Sequence, residues 1–218
     1  MFALTGPGIG PRRRPVTSLV MAASAAGHWL GTAAVLVPVK AFAEAKVRLA
    51  PALPPDARAT LARSMAQGVL AAGRPLPVAV VCDDVEVADW ARRRGALVVW
   101  EPGRGLNGAV EAGVEQLARA GVTRVVVAHG DLPRARGLAD LAGGEGATLV
   151  PDRRRDGTNV AVVPAGAGFR FSYGPGSFAR HVAEAERLGL HVRVVDDPRL
   201  AFDVDWPADL DVLAHSYR

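Results

Sequence analysis

Val125-Val126-Val127-Ala128-His129-Gly130-Asp131-Leu132-Pro133 begins with four consecutive apolar residues and carries a carboxylate just beyond them. A continuous apolar run, without the alternation of a half-solvated strand, reads as a strand covered on both faces. Asp131 then stands at the strand's C-terminal tip. The same signature recurs upstream at residues 33–39, 78–82 and 96–100. Between these runs the apolar spacing changes to three or four residues. Leu61, Met65, Val69 and Leu70 follow Pro54-Pro55-Asp56. Val87, Trp90 and Ala91 come next, then Val110, Val114 and Leu117 within residues 107–120. That spacing is helical. Strands alternating with helices predict a parallel sheet with right-handed crossovers. Ligands in such sheets bind beyond the carboxyl ends of the strands. Lys40, Asp83, Glu101 and Asp131 all follow strand ends and are predicted to line one rim.

Past Asp131 the pattern changes. Residues 147–150 and 159–163 read as strands around a polar turn. Tyr173-Gly174-Pro175-Gly176-Ser177 opens a helix with Phe178, Val182, Ala185 and Leu188 inward, and residues 191–195 form another strand. Asp203 and Asp205 lie in Phe202-Asp203-Val204-Asp205-Trp206-Pro207, before a short C-terminal helix. There are no repeats and no second domain, so the prediction is a single α/β domain over residues 32–218 with a mostly parallel central sheet.

Composition narrows the function. The formal charge is +4, with 24 Arg and 2 Lys, and the basic residues are dispersed. A basic balance suits anionic small substrates as well as nucleic acid. With only 6% aromatic residues, a stacking platform for single strands is not expected, and no nucleic-acid partner is predicted. One cysteine, Cys82, excludes an internal disulfide framework and a cysteine-based zinc site; at the end of an apolar strand it reads as a small buried hydrophobe. No apolar run reaches the roughly 20 residues needed to span a bilayer, and no membrane partner is predicted. Arg12-Arg13-Arg14 before a weakly apolar stretch loosely resembles a signal peptide, but Ser18, Ser24 and Gly27 dilute it and Met21 is an alternative start. Residues 1–31 are read as a disordered leader or as lying before the true start, and a cytoplasmic location is expected.

Four stretches carry chemistry besides the aspartates. Both lysines of this arginine-rich chain, Lys40 and Lys46, fall within seven residues, with Arg48 next to them. Lysine is a compact point charge suited to phosphate. A triphosphate-holding loop and a solvated basic helix start both fit, and neither a Walker A pattern nor G-x-G-x-x-G is present in this loop. Gly103-Arg104-Gly105-Leu106-Asn107-Gly108 allows close backbone approach, and Asn107 reads either as a contact to base or ribose or as a helix N-cap. Arg153-Arg154-Arg155-Asp156-Gly157-Thr158-Asn159 is a solvated basic turn or a seat beside Thr158 for an acceptor. Gly174-Pro175-Gly176-Ser177-Phe178 presents backbone N–H groups and a helix dipole to an anion, or uses Ser177 as a plain cap. Asp131, Asp203 and Asp205, if brought together, form a hard-oxygen site suited to Mg2+. His129 reads either as a partner standing behind Asp131 or, the favoured reading, as a packed core histidine. His181 and His191 are isolated, without metal spacing.

Taken in order, Leu36-Val37-Pro38-Val39-Lys40, Ala45-Lys46-Val47-Arg48-Leu49, Leu106-Asn107, Gly130-Asp131-Leu132-Pro133, Asp156-Gly157-Thr158-Asn159, Gly174-Pro175-Gly176-Ser177-Phe178 and Asp203-Val204-Asp205-Trp206-Pro207 resemble the phosphoenolpyruvate or 2-phospholactate guanylyltransferases of coenzyme F-420 biosynthesis. The resemblance covers residues 33–214. It implies a Rossmann-like nucleotidyltransferase fold of glycosyltransferase-A type, and transfer of GMP from GTP to a phosphorylated three-carbon acid with release of pyrophosphate. It also implies Mg2+ on Asp131, Asp203 and Asp205, and acceptor binding at Thr158, Gly174 and Ser177. Lys40, Lys46 and Arg48 would then neutralise the triphosphate as catalytic and nucleotide-binding groups, together with Asn107. Two departures are a longer leader and Val47, where relatives often carry serine. The competing readings are another small-molecule nucleotidyltransferase, of molybdopterin or sugar-phosphate type, and a nucleotide-binding protein without activity.

Overall fold

The computed structural model describes residues 31–215. The expected leader, residues 1–31, lies outside the described residues apart from Gly31. A seven-stranded sheet runs through the domain in the order β3-β2-β1-β4-β6-β5-β7. β1 (Ala33–Pro38), β2 (Val78–Cys82), β3 (Leu97–Trp100) and β4 (Arg124–Ala128) are mutually parallel. Their connections carry α1 (Pro55–Ala72), α2 (Val85–Arg93) and α3 (Gly105–Arg119). The continuous apolar runs have the cause expected of them: Val35, Leu36, Val37, Val80 and Val125 to Val127 are all fully buried, because helices cover both faces of the sheet. Alternate residues divide between the two layers. Val35, Val37, Val80 and Val126 pack with Val69 of α1 and Trp90 of α2. Leu36, Val81, Val125 and Val127 pack with Val110 and Leu117 of α3. At Gly113 a Cβ would come within 2.8 Å of Leu36 Cδ2, so the glycine sets how closely α3 lies on β1.

After β4 the parallel pattern breaks. β5 (Ala147–Pro151) and β6 (Thr158–Pro164) form an antiparallel hairpin around the polar turn. β6 is inserted antiparallel against β4, and β7 (Val192–Val194) lies parallel to β5 at the edge. The sheet is mostly parallel, as predicted; strand limits differ from the apolar runs by one or two residues, where chain ends leave the ladder. α4 (Ser177–Arg187) covers β5 to β7 through Ala185. A short α5 (Pro207–Ala214) follows the second acidic stretch. No described helix is long and apolar enough to cross a membrane. Cys82 is buried, and burial pushes its thiol up to about 11, so it is a hydrophobe, not a thiolate.

Candidate active site

A cavity of about 660 Å³ opens at the carboxyl ends of β1 and β4. That is the size of a small-molecule site. Lys40, Lys46, Arg48, Asp131, Asp203, Asp205, Thr158, Gly174 and Ser177 all line it. The rim prediction holds for Lys40 and Asp131 and not for Asp83 and Glu101, which are absent from the lining. Those two follow β2 and β3, one and two places farther out in the sheet. Glu101 is instead tied to Arg104 and Gln116.

The two acidic stretches meet on Lys46. Its Nζ lies 2.5 Å from Asp131 Oδ2 and 2.8 Å from Asp205 Oδ1, and Arg48 reaches Asp205 Oδ2 at 3.1 Å. Local sequence explains each placement. Asp131 rides on the tip of β4. The stretch Phe202-Asp203-Val204-Asp205 alternates: Phe202 and Val204 are buried with Leu49 and Met65, which leaves both carboxylates facing the cavity. Lys46 adopts a left-handed backbone, φ 54° and ψ 42°, a conformation costing about 1–2 kcal/mol for a residue with a side chain. Its two ion pairs offset that cost. Burial opposes the charge on Lys46, yet Asp131 and Asp205 hold its pKa above the usual value. Burial also opposes the charge on Asp131, but the Lys46 ammonium beside it keeps it below the carboxylate range. Asp203 differs: burial, with the neighbouring Asp131 carboxylate, pushes it up to about 6.

The expected closed cluster of three aspartates is not what the fold builds. Among the described residues no three acidic, histidine or cysteine groups converge closely enough to hold a metal. The lysine ammonium occupies the centre, bridging Asp131 to Asp205. The donor set still fits a hard cation. Two carboxylates already surround one positive charge, and Asp131 Oδ1 is buried with no partner among the described residues. Magnesium on nucleotide phosphates needs only one or two carboxylates.

The other wall is built by β6 and the start of α4. Thr158 is the first residue of β6, and its N–H donates to Ser177 Oγ at 3.0 Å. The backbone N–H groups expected to face an anion at the α4 start are largely committed. Gly176 N–H goes to Asp156 Oδ1, Ser177 N–H to Gly174 O and Phe178 N–H to Asp156 O. Asp156, three residues past the arginine run's start, therefore caps the helix, and Ser177 is its first residue, not its cap. What the wall offers a ligand is hydroxyl groups. Asn107 stands apart: its Oδ1 accepts the Tyr173 N–H at 2.7 Å, and it does not line the cavity. Residues 103–108 spell G-x-G-x-x-G between β3 and α3, yet only Leu106 of them lines the cavity.

Sequence reasoning missed three participants, Asp209, His181 and Tyr173. Asp209, buried at the start of α5, accepts the Asp205 and Trp206 N–H groups at 2.9 and 2.8 Å and Arg153 Nη2 at 2.8 Å. It holds the second acidic stretch in place, and Pro207 with an acid two residues on is the helix-start signal that marks it. His181 is fully buried behind Thr158. Tyr173 and His129 pack ring against ring at a 58° tilt with centroids 4.6 Å apart, and the Tyr173 hydroxyl and His129 Nε2 are buried without partners among the described residues. His129 is thus a cavity-lining ring, not only a core one. Burial keeps it neutral by lowering its pKa against the pull of Asp131.

A doubly covered α/β sheet, with a lysine–carboxylate centre beyond the carboxyl ends of its strands, defines a protein of nucleotidyltransferase type. The fold is that of a Desulfovibrio desulfuricans crystal structure assigned to the nucleotide-diphospho-sugar transferases: TM-score 0.72, 19% identity, 86% of this chain and 88% of the other covered. Residues 33–216 match the family model described as guanylyl transferase, CofC-like, and the chain belongs to that family. It is 38% identical over 192 residues to a phosphoenolpyruvate guanylyltransferase of Sphaerobacter thermophilus, covering 84% of this chain and 93% of the relative. It is also 38% identical over 186 residues to a 2-phospho-L-lactate guanylyltransferase of Halorubrum lacusprofundi, covering 78% and 80%.

Proposed function

We infer that this chain transfers GMP from GTP to the phosphate of a phosphorylated three-carbon acid, releasing pyrophosphate, in coenzyme F-420 biosynthesis. Phosphoenolpyruvate is the first acceptor to test and 2-phospho-L-lactate the second, following the names of the relatives. The observation that carries the reading is the Lys46 bridge, which joins Asp131 to Asp205 beside a small-molecule cavity whose lining includes two hydroxyl side chains, Thr158 and Ser177.

An acceptor phosphate oxygen attacks the α-phosphorus of GTP. A new P–O bond forms, the bond to the bridging oxygen breaks, and pyrophosphate leaves with that electron pair. The attacking oxygen is already anionic, so no general base is required. The barrier is the approach of two polyanions. Lys40 and Arg48, exposed at the cavity lip, and Lys46 supply positive charge to the triphosphate. Thr158, Gly174 and Ser177 seat the acceptor. Asp131 and Asp205, with Asp203 beside them, are the residues that would hold magnesium, which would supply positive charge to screen the two polyanions. Asn107 acts through the Tyr173 loop that it anchors.

The reading is tested by supplying the purified protein with GTP and magnesium and, in turn, phosphoenolpyruvate, 2-phospho-L-lactate and 3-phosphoglycerate, and weighing the products. A guanylylated three-carbon acid with stoichiometric pyrophosphate is expected. Pyrophosphate release only with a sugar phosphate or a pterin acceptor contradicts it.

A further inference from the structure

Thr158, Ser177 and His181 are each no more than 1% exposed, and they form one hydrogen-bonded chain whose proton positions follow from elementary rules. The Ser172 N–H lies 2.9 Å from His181 Nε2. A backbone amide can only donate, so Nε2 accepts and carries no proton. The other ring nitrogen, Nδ1, is 3.0 Å from Thr158 Oγ1. A neutral imidazole has a single N–H, which must therefore be on Nδ1 and must donate to Thr158. Neutrality is secured by the surroundings. Burial first, then the Arg180 guanidinium, push His181 down to about 4 against the opposing Glu184. The rings of Phe169, Phe171 and Tyr173 stand 4.9 to 5.9 Å from the imidazole and keep it in one orientation.

The consequence falls on the hydroxyls. Thr158 Oγ1 accepts from His181, so its own proton is left to donate, and Thr158 lines the cavity. Ser177 Oγ accepts the Thr158 N–H, so its proton is likewise left. Each hydroxyl is backed by an obligate donor, which takes one of its lone pairs and leaves its proton free for a ligand. Two such groups on one cavity wall can both donate to an ionised oxygen. We propose that His181 is a positioning residue that fixes the Thr158 hydroxyl as a hydrogen-bond donor to the anionic acceptor substrate. The substrate part of this rests on the function given above; the hydrogen-bond part does not.

Two measurements test it. On ligand-free protein labelled at histidine nitrogen, nuclear magnetic resonance should find His181 neutral at pH 7 with its proton on Nδ1. A proton on Nε2, or an imidazolium, overturns the proposal whatever the substrate is. In steady-state assays with wild-type activity as reference, His181→Phe should raise the acceptor KM about tenfold, the effect of one lost hydrogen bond, with the GTP KM within about twofold. His181→Asn, which retains an amide donor near Nδ1, should recover most of the loss. In a Thr158→Val background His181→Phe should add almost nothing, because the hydroxyl it orients is gone. An unchanged acceptor KM in His181→Phe, equal rises for both substrates, or full additivity with Thr158→Val each contradict the proposal. Failure of the wild type to guanylylate any three-carbon acid would instead count against the function, and the tautomer measurement separates the two.

Discussion

Lys46 and Asp203 hold opposite positions in the same field of charge. Lys46 gains from Asp131 and Asp205 and keeps its proton firmly. Asp203 is half-buried beside those two carboxylates, and its pKa rises to about 6. A carboxyl whose folded pKa lies above its unfolded value of 3.8 opposes folding when ionised. Its cost is absent below the unfolded pKa and grows as pH rises toward the folded one. Asp203→Asn removes that cost without changing shape. In chelator, the variant should melt higher than wild type at pH 7, by about 2–4 °C for each kcal/mol gained in a domain of this size, and the two should converge near pH 4. Equal melting temperatures at pH 7 would show that Asp203 carries no such penalty. The pairing of lysine and aspartate residues was half readable from sequence. Scarcity marked Lys40 and Lys46 as phosphate-facing cations, and strand-end logic marked Asp131. That Lys46 would lie between the aspartates was not readable, because it depends on a left-handed turn at Lys46 and on two segments 159 positions apart. His181 was passed over because its spacing to other histidines says nothing, whereas its role comes from partners 9 and 23 positions away.

Strands β1 to β4 were readable because burial on both faces leaves an uninterrupted apolar run. The insertion of β6 between β4 and β5 was not, since a hairpin pattern does not say which of its strands meets the parallel sheet. The alternation in Phe202-Asp203-Val204-Asp205 was a usable signal for a segment apolar on one side and acidic on the other. The α4 start misled, because a glycine-rich helix entry reads as open N–H groups while Asp156 had already claimed two of them. The join between β5 and β7 gives a direct test of the packing. Gly146 has φ 72°, and a Cβ there would lie 2.2 Å from the His191 carbonyl oxygen, the acceptor of the Ala147 N–H. Gly146→Ala must therefore both adopt a left-handed backbone and displace a strand partner. It should cost at least about 2 kcal/mol in urea unfolding. Gly166, with open space around its Cβ direction and no positive φ, should tolerate alanine within about 0.5 kcal/mol. Equal costs at the two sites would contradict the described β5–β7 contact.

The domain as a whole solves one problem, which is bringing two polyanions together. Its net charge of +4 is too dispersed to do this. The sheet instead concentrates charge where β1 and β4 end, placing Lys40, Lys46 and Arg48 in one cavity with three aspartates, Thr158 and Ser177. The carboxylates come from segments 72 and 74 positions apart, so only the fold makes them one site. Membership of the guanylyl transferase family accounts for the chemistry, and the Lys46 bridge is the place proposed for it. The claim that Asp131 and Asp205 form the reaction centre is tested most directly by pyrophosphate release from Asp205→Asn, with GTP, magnesium and the acceptor that the wild type uses, after circular dichroism has established that the variant is folded. Loss of turnover by about a hundredfold to a thousandfold is predicted, the range seen when a group stabilising transition-state charge is removed. Turnover within about tenfold of wild type would contradict the account.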